Sequence, residues 1–195
     1  MNGILYILLI IFSAFTMNLT LQCALGIRGL AESKTYKQNS TMIRLGLIFI
    51  SIILLWVLIS AVISPLFSGI FAYVLLFPVS FLVYKGLEFL LYDQILKRDI
   101  NEESFISFPG GITAAAVFMC LNIANNFMEA FLLSFGFTAG ILLVCFIIRE
   151  IRRRAALEAV PVFLRGKPLI VITLGLLSLI FSAASLMLLR MISVR

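Results

Sequence analysis

The sequence predicts an all-α membrane protein whose six transmembrane helices form two inverted three-helix repeats, with the first helix of each repeat broken. Of the 195 residues, 63% are hydrophobic and only 12% are charged. The mean hydropathy is +1.17. Soluble domains carry about 25% charged residues, so this chain cannot cover itself with a surface compatible with water. We therefore expect a single transmembrane domain over residues 1–195.

Uncharged blocks mark the predicted spans. They cover residues 1–27, 45–84, 104–128, 130–148 and 168–189. A helix needs about 20 apolar residues to cross the hydrocarbon core of a bilayer. The block at 45–84 is long enough for two helices and carries Ser64-Pro65 near its middle, which predicts a tight turn there. The resulting six spans divide into pseudo-repeats of about 1–95 and 105–195, and three spans per repeat give the two repeats opposite orientations.

The basic residues predict the orientation. Thirteen of the 15 lysines and arginines lie in the segments that follow spans one, three and five, and the other two are Arg190 and Arg195. Because cytoplasmic loops are enriched in lysine and arginine, we expect the odd-numbered loops inside and both termini outside. This pattern is typical of a multi-pass protein of a bacterial-type cytoplasmic (inner) membrane. It favours membrane lipid as a partner and argues against nucleic acid.

Polar residues interrupt two of the predicted spans. Those of the first span are Thr16, Asn18, Thr20 and Gln22. Those of the fourth, which opens with Pro-Gly-Gly at 109–111, are Thr113, Asn122, Asn125 and Asn126. A helix that touches lipid keeps that side apolar, so we expect both spans to be broken helices enclosed by their neighbours. For the fourth span an alternative stays open, in which small residues at 110–116 only allow close helix packing.

The composition also excludes several classes of protein. The chain has no histidine, which removes the commonest general base and the commonest metal ligand. Its three cysteines, Cys23, Cys120 and Cys145, lie in apolar stretches and form no Cys-x-x-Cys pair. They therefore predict no disulfide framework, and small core residues are the simplest interpretation. A soluble enzyme is excluded.

The second half carries a run of residues that resembles one membrane-protein family. Asn126-Phe127 is followed by Ile151-Arg-Arg-Arg154, Val160-Pro161 and Arg165-Gly166, and then by Ile172-Thr173, Gly175-Leu176, Ser178-Leu179 and Phe181. In this order and spacing the chain resembles the integral subunits of the Rnf electron-transport complex and of the sodium-translocating NADH:quinone oxidoreductase (Nqr), in particular the A-subunit of the former and the E-subunit of the latter. The resemblance covers about residues 105–190 and is looser in the first half, around Asn18 and Leu25-Gly26.

The resemblance implies a paired arrangement around an iron–sulfur cluster. Two homologous or identical subunits of opposite orientation would lie side by side, and cysteines of their broken helices would hold a [2Fe-2S] cluster on an electron path coupled to ion movement. The family's cysteine positions correspond here to Arg28 and Ala116, neither of which can bind iron. Cys23 and Cys120 are the nearest substitutes. We therefore expect the chain to lack its own cluster and to be at most a non-catalytic part of a redox-driven ion translocase, with other Rnf/Nqr-type subunits as partners.

Polar residues around the predicted breaks are candidates for an ion or ligand pathway. They are Asn18, Gln22, Arg28, Thr113, Asn122, Asn125, Asn126 and Glu129. Arg28 could bind an anionic group in the cavity that a lost cluster leaves, or anchor its helix among lipid headgroups. Glu129 could admit a cation, or simply be a solvated turn residue. Two other functions stay open: a stand-alone or dimeric transporter of an ion, a vitamin or a flavin on the same inverted-repeat fold, and a structural or assembly subunit.

Overall fold

The computed structural model describes residues 3–22, 38–63, 70–91, 109–157, 161 and 166–193. In these ranges the chain is helical apart from short turns. The helices are α1 (Gly3–Ile11), α2 (Leu19–Gln22), α3 (Gln38–Leu58), α4 (Ile70–Phe89), α5 (Pro109–Ile123), α6 (Phe127–Leu157) and α7 (Lys167–Ser193). Turns of π-helix follow α1 at Phe12–Thr16 and α3 at Ile59–Ile63.

Three helices of the described part are long and apolar enough to cross a membrane. They cover Thr41–Ala61, Phe127–Ala155 and Lys167–Met187, and two shorter apolar helical stretches cover Tyr6–Gln22 and Pro109–Ile123. At 1.5 Å per residue the 15 residues of α5 extend only about 22 Å, which is less than the roughly 30 Å of a hydrocarbon core. The chain is thus a helical membrane protein, as its composition predicts.

The short helix α5 packs against α3, α4 and α6. Eight of its 15 residues are buried, among them Gly110 and Gly111. A Cβ atom at Gly110 would lie 3.1 Å from Cδ2 of Phe81, so the small residue lets α4 approach closely. The described helix runs without interruption from Pro109 to Ile123. Pro-Gly-Gly therefore begins this helix rather than breaking it, because proline fits the first turn, where its missing N–H costs nothing.

The expected interruption of the first span is present. The π-helical turn ends at Thr16, Met17 leaves the helical conformation with φ −103° and ψ 32°, and α2 resumes at Leu19. Helix α1 and the π-helical turn pack against α6, while α7 packs against the π-helical turn and α2. The rings of Phe15 and Phe181 stack with their centroids 5.1 Å apart. The interruption thus lies between α6 and α7.

Candidate functional site

Asn18 joins the two parts of the interrupted helix. Its side-chain nitrogen donates a hydrogen bond to the carbonyl oxygen of Ala14 at 3.1 Å. Its side-chain oxygen accepts hydrogen bonds from the backbone N–H groups of Thr20 at 3.2 Å and Leu21 at 3.3 Å. Asn18 is 1% exposed, so water cannot supply these bonds. The residue therefore caps the start of α2 and ties it to the turn before the break.

Two glycines of α6 let its backbone touch the interruption. Gly136 and Gly140 form a Gly-x-x-x-Gly motif. A Cβ atom at Gly136 would overlap the Ser13 side chain, and one at Gly140 would lie 2.6 Å from the carbonyl oxygen of Ala14 and 3.0 Å from Nδ2 of Asn18. Real side chains cannot occupy these positions without moving α6 away. The motif thus fixes α6 against the break.

One buried hydroxyl at the interruption has no hydrogen-bond partner within the described ranges. The Oγ1 atom of Thr16 is shielded from solvent and unpaired there. Buried polar atoms are nearly always paired, so each exception calls for a physical reason. The backbone carbonyl oxygens of Phe12, Ala14 and Asn18 accept hydrogen bonds at the break. The Thr16 hydroxyl is therefore the oxygen atom that a cation could bind there, since hard cations prefer oxygen ligands.

The other predicted pathway residues lie elsewhere along the helices. Thr113 is buried near the start of α5, where its hydroxyl donates to the carbonyl oxygen of Gly110 at 2.8 Å. Asn122 is exposed near the end of α5 and donates to the Phe118 carbonyl at 2.7 Å. Nine residues separate the two, about 14 Å along a helix. Thr113 and Asn122 therefore lie far apart along α5. Gln22 is exposed at the last residue of α2.

Glu129 has a structural role at the turn between α5 and α6. Its Oε2 atom accepts a hydrogen bond from the backbone N–H of Asn125 at 2.9 Å, and the residue is 8% exposed. Asn125 and Asn126 are exposed in the turn itself. Glu129 is the third residue of α6, the position from which a carboxylate reaches back to cap a helix. It lies 11 residues before Gly140, about 16 Å along α6 from the interruption.

Comparison with known proteins shows that this chain is similar in sequence to one kind of membrane-complex subunit. The chain is 27% identical over 133 residues to a protein of Pectobacterium atrosepticum named as the A-subunit of the ion-translocating oxidoreductase complex, and the match spans 60% of this chain and 69% of that protein. A protein of the same name from Pectobacterium carotovorum subsp. carotovorum is 27% identical over 134 residues, which span 61% and 69% of the two chains. The chain is a distant relative of the Rnf A-subunit. No family model matches it.

Two of the residues that the resemblance relates to a [2Fe-2S] cluster, Ala116 and Cys120, lie in the described ranges. Ala116, where the resemblance implies a cysteine, is a fully buried core residue with no group that binds iron. The Cys120 thiol lies against α6, with its Sγ atom 4.0 Å from the Oγ atom of Ser134, whose hydroxyl donates to the Ala130 carbonyl at 2.6 Å. In the described ranges no three His, Cys, Asp or Glu side chains come together as metal ligands. Cys23 and Arg28 lie outside the described residues.

Sequence reasoning missed a buried charge near the end of α4. Glu88 is 3% exposed and forms ion pairs with Lys85 at 2.7 Å and with Arg44 of α3 at 3.9 Å. The pair with Arg44 joins α3 to α4. The sequence does signal the ion pair within α4, because Lys85 and Glu88 are three residues apart and therefore lie on neighbouring positions of one helix face. The Gly-x-x-x-Gly motif at 136–140 was equally readable and was also missed.

Proposed function

We propose that this chain is an integral membrane subunit of an Rnf-type ion-translocating electron-transport complex and that it carries no iron–sulfur cluster of its own. The observation that carries the proposal is the relationship to the Rnf A-subunit, which extends over 133 residues, more than half of this chain. The absence of thiols at the family positions limits the chain to binding, positioning or ion handling within such a complex. Its partners would be the other subunits of that complex, among them a homologous or identical one.

We also propose that the chain crosses the membrane six times. Six crossings would be made by the interrupted first helix, α3, α4, α5, α6 and α7, as two inverted triplets over about 1–95 and 105–195. The distribution of basic residues supports cytoplasmic odd-numbered loops and outer termini in a bacterial-type inner membrane. Because α5 is shorter than the hydrocarbon core, its crossing would depend on burial by α3, α4 and α6 rather than on contact with lipid. Membrane lipid would cover the outer faces.

Within this proposal, ion handling is located at the interruption of the first helix. The Thr16 hydroxyl supplies an oxygen atom there, and the α6 backbone lies close to the break at Gly136 and Gly140. The prediction is that Thr16→Val lowers ion translocation by the assembled complex by about tenfold, since one hard oxygen ligand is lost. Thr173→Val is the matched control, because the Thr173 hydroxyl donates to the Ile170 carbonyl of its own helix at 2.9 Å. Equal rates for the two variants would remove Thr16 from the ion path.

A stand-alone transporter and a purely structural subunit gain no support from the relatives, whose shared name describes one subunit of an ion-translocating oxidoreductase complex. The test of the proposal is isolation of the tagged full-length chain from membranes in a mild detergent. We expect oxidoreductase subunits and their activity to be isolated with it. Replacing all three cysteines of the chain by serine should leave the iron and acid-labile sulfide content of the intact complex unchanged. A chain isolated without oxidoreductase activity would refute its place in the complex, and loss of iron and sulfide in the cysteine variant would refute the missing cluster.

A further inference from the structure

An apolar groove between α3 and α6 reaches Leu142, seven residues before Arg149 on α6, and we propose that the groove, Arg149 and Arg153 together form a binding site for an anionic phospholipid. The groove has a volume of about 300 Å³ and is lined by Met42, Leu45, Gly46, Phe49, Phe135, Thr138, Ala139 and Leu142. The proposal depends on α6 crossing the bilayer but not on membership of a redox complex.

Aromatic and small side chains line the groove. The ring of Phe49 makes edge contacts with Phe131 and Phe135, with centroid distances of 5.4 and 6.5 Å. From there the groove follows α6 from Phe135 to Leu142. Gly46 leaves it wide, since no atom lies within 4 Å of the position that a Cβ would take there. An acyl chain fits such an apolar trough better than any polar ligand does.

The exposed stripe of α6 continues from the groove to the arginines. Phe135, Leu142, Phe146, Arg149 and Arg153 recur at spacings of three, four or seven residues, so they lie on one face of the helix. Phe135, Phe146, Arg149 and Arg153 are exposed on that face. The face that meets acyl chains in its apolar part therefore presents positive charge where the apolar part ends.

The length of α6 places these arginines at the depth of lipid headgroups. The 19 uncharged residues 130–148 extend about 28 Å, close to the roughly 30 Å of a hydrocarbon core. Arg149 therefore begins the interfacial layer, and Arg153 lies about 6 Å further out, still within that layer. A soluble acidic protein would have to enter the headgroup region to reach them. A phosphate group of a lipid is already there, and guanidinium groups bind phosphate well.

The remaining charges of this segment are compatible with the site. Arg154 is paired with Glu150 at 3.1 Å on the same helix, so that one carboxylate is neutralised by its neighbour. Arg152 is half-buried rather than exposed. The segment 149–154 carries four arginines against a single glutamate, so it retains a positive charge. Each basic residue near an anionic surface contributes roughly a fivefold preference for binding.

The test uses purified full-length protein and native mass spectrometry with added lipid. We expect wild-type protein to bind phosphatidylglycerol or cardiolipin in preference to phosphatidylcholine. The double variant Arg149→Gln/Arg153→Gln should weaken anionic lipid binding by about tenfold or more. Gly46→Leu, which fills the groove, should weaken it as well. The matched control is Gly175→Leu, because Gly175 is an exposed helical glycine on α7 with equally open surroundings, and it should bind lipid like the wild type.

Four results would overturn the proposal. Equal binding of anionic and zwitterionic lipid by the wild type would show that the arginines do not select the headgroup. Unchanged binding by Gly46→Leu would show that lipid does not occupy the groove. An equal loss of binding in Gly175→Leu would show a general effect of bulky side chains. If the arginine variant retained its lipid but lost an acidic protein partner, the surface would be a protein interface instead. None of these results depends on whether the chain binds redox subunits, so the proposed function is tested separately.

Discussion

Asn18 is the single residue on which the interruption of the first helix depends most. Its amide supplies one donor and one acceptor to three backbone groups across the break. We expect Asn18→Ala to lower the free energy of unfolding by about 1–2 kcal/mol, because a helix cap is lost and buried backbone groups are left unpaired. Thermal melting of the purified protein in detergent measures this. Asn122→Ala, which removes an exposed amide, should melt at nearly the same temperature as the wild type.

Substitutions of Glu129 distinguish a role as a helix cap from a role in ion entry. Glu129→Gln keeps a side-chain oxygen that can accept from the Asn125 N–H, whereas Glu129→Ala does not. If the residue is a cap, the glutamine variant should keep its melting temperature and its ion transport, and the alanine variant should lose about 1 kcal/mol of stability. Loss of transport in the glutamine variant, with stability unchanged, would instead assign the carboxylate charge to an ion path.

At the scale of elements, the contact between α6 and the interrupted helix is the most constrained. Gly140→Ala places a methyl group only 2.6 Å from the carbonyl oxygen of Ala14. The expected cost is about 1–3 kcal/mol, since two packed helices must move apart. Gly175→Ala is the control: it meets no atom within 4 Å, so it should be neutral or slightly stabilising. Comparable melting of the two variants would mean that the close approach does not contribute to the fold.

The helical elements show which features local sequence can predict. The interruption near Asn18 was predicted because polar residues at every second position conflict with a lipid-facing helix. The fourth span was expected to break as well, but Pro-Gly-Gly begins α5, since proline and small residues suit both a first turn and a close contact. Whether Pro-Gly-Gly breaks a helix or begins one depends on contacts with the neighbouring helix, here the contact between Phe81 of α4 and Gly110. Such tertiary contacts cannot be read from a single sequence.

The scattering of the candidate pathway residues has a similar cause. Polar type alone selected Asn18, Thr113 and Asn122, and the residues then proved to bond mainly with their own helices. Side-chain hydrogen bonds of this kind satisfy polar groups locally, and the sequence does not reveal which groups remain unpaired. Thr16 became a candidate only because the structure leaves its hydroxyl without a partner in the described ranges.

At the scale of the whole molecule, composition predicted the all-α membrane class, and the resemblance predicted the relationship to the Rnf A-subunit that comparison then confirmed. The six crossings and their inverted halves remain predictions, because three described helices meet the length and hydropathy of a span by themselves. The helix α5 illustrates the difficulty: a helix surrounded by protein need not be long or uniformly apolar. Counting uncharged blocks includes such a helix among the predicted spans, whereas a criterion of helix length leaves it out.

We propose that the chain acts in ion translocation within a redox complex without carrying electrons itself. The most direct measurement is redox-driven ion uptake by membrane vesicles from cells with and without this chain. We predict that uptake is lost when the chain is removed and returns with the full-length chain, including a variant in which all three cysteines are replaced by serine. Restoration that required the cysteines, or ion uptake by the chain alone without an electron donor, would contradict this account.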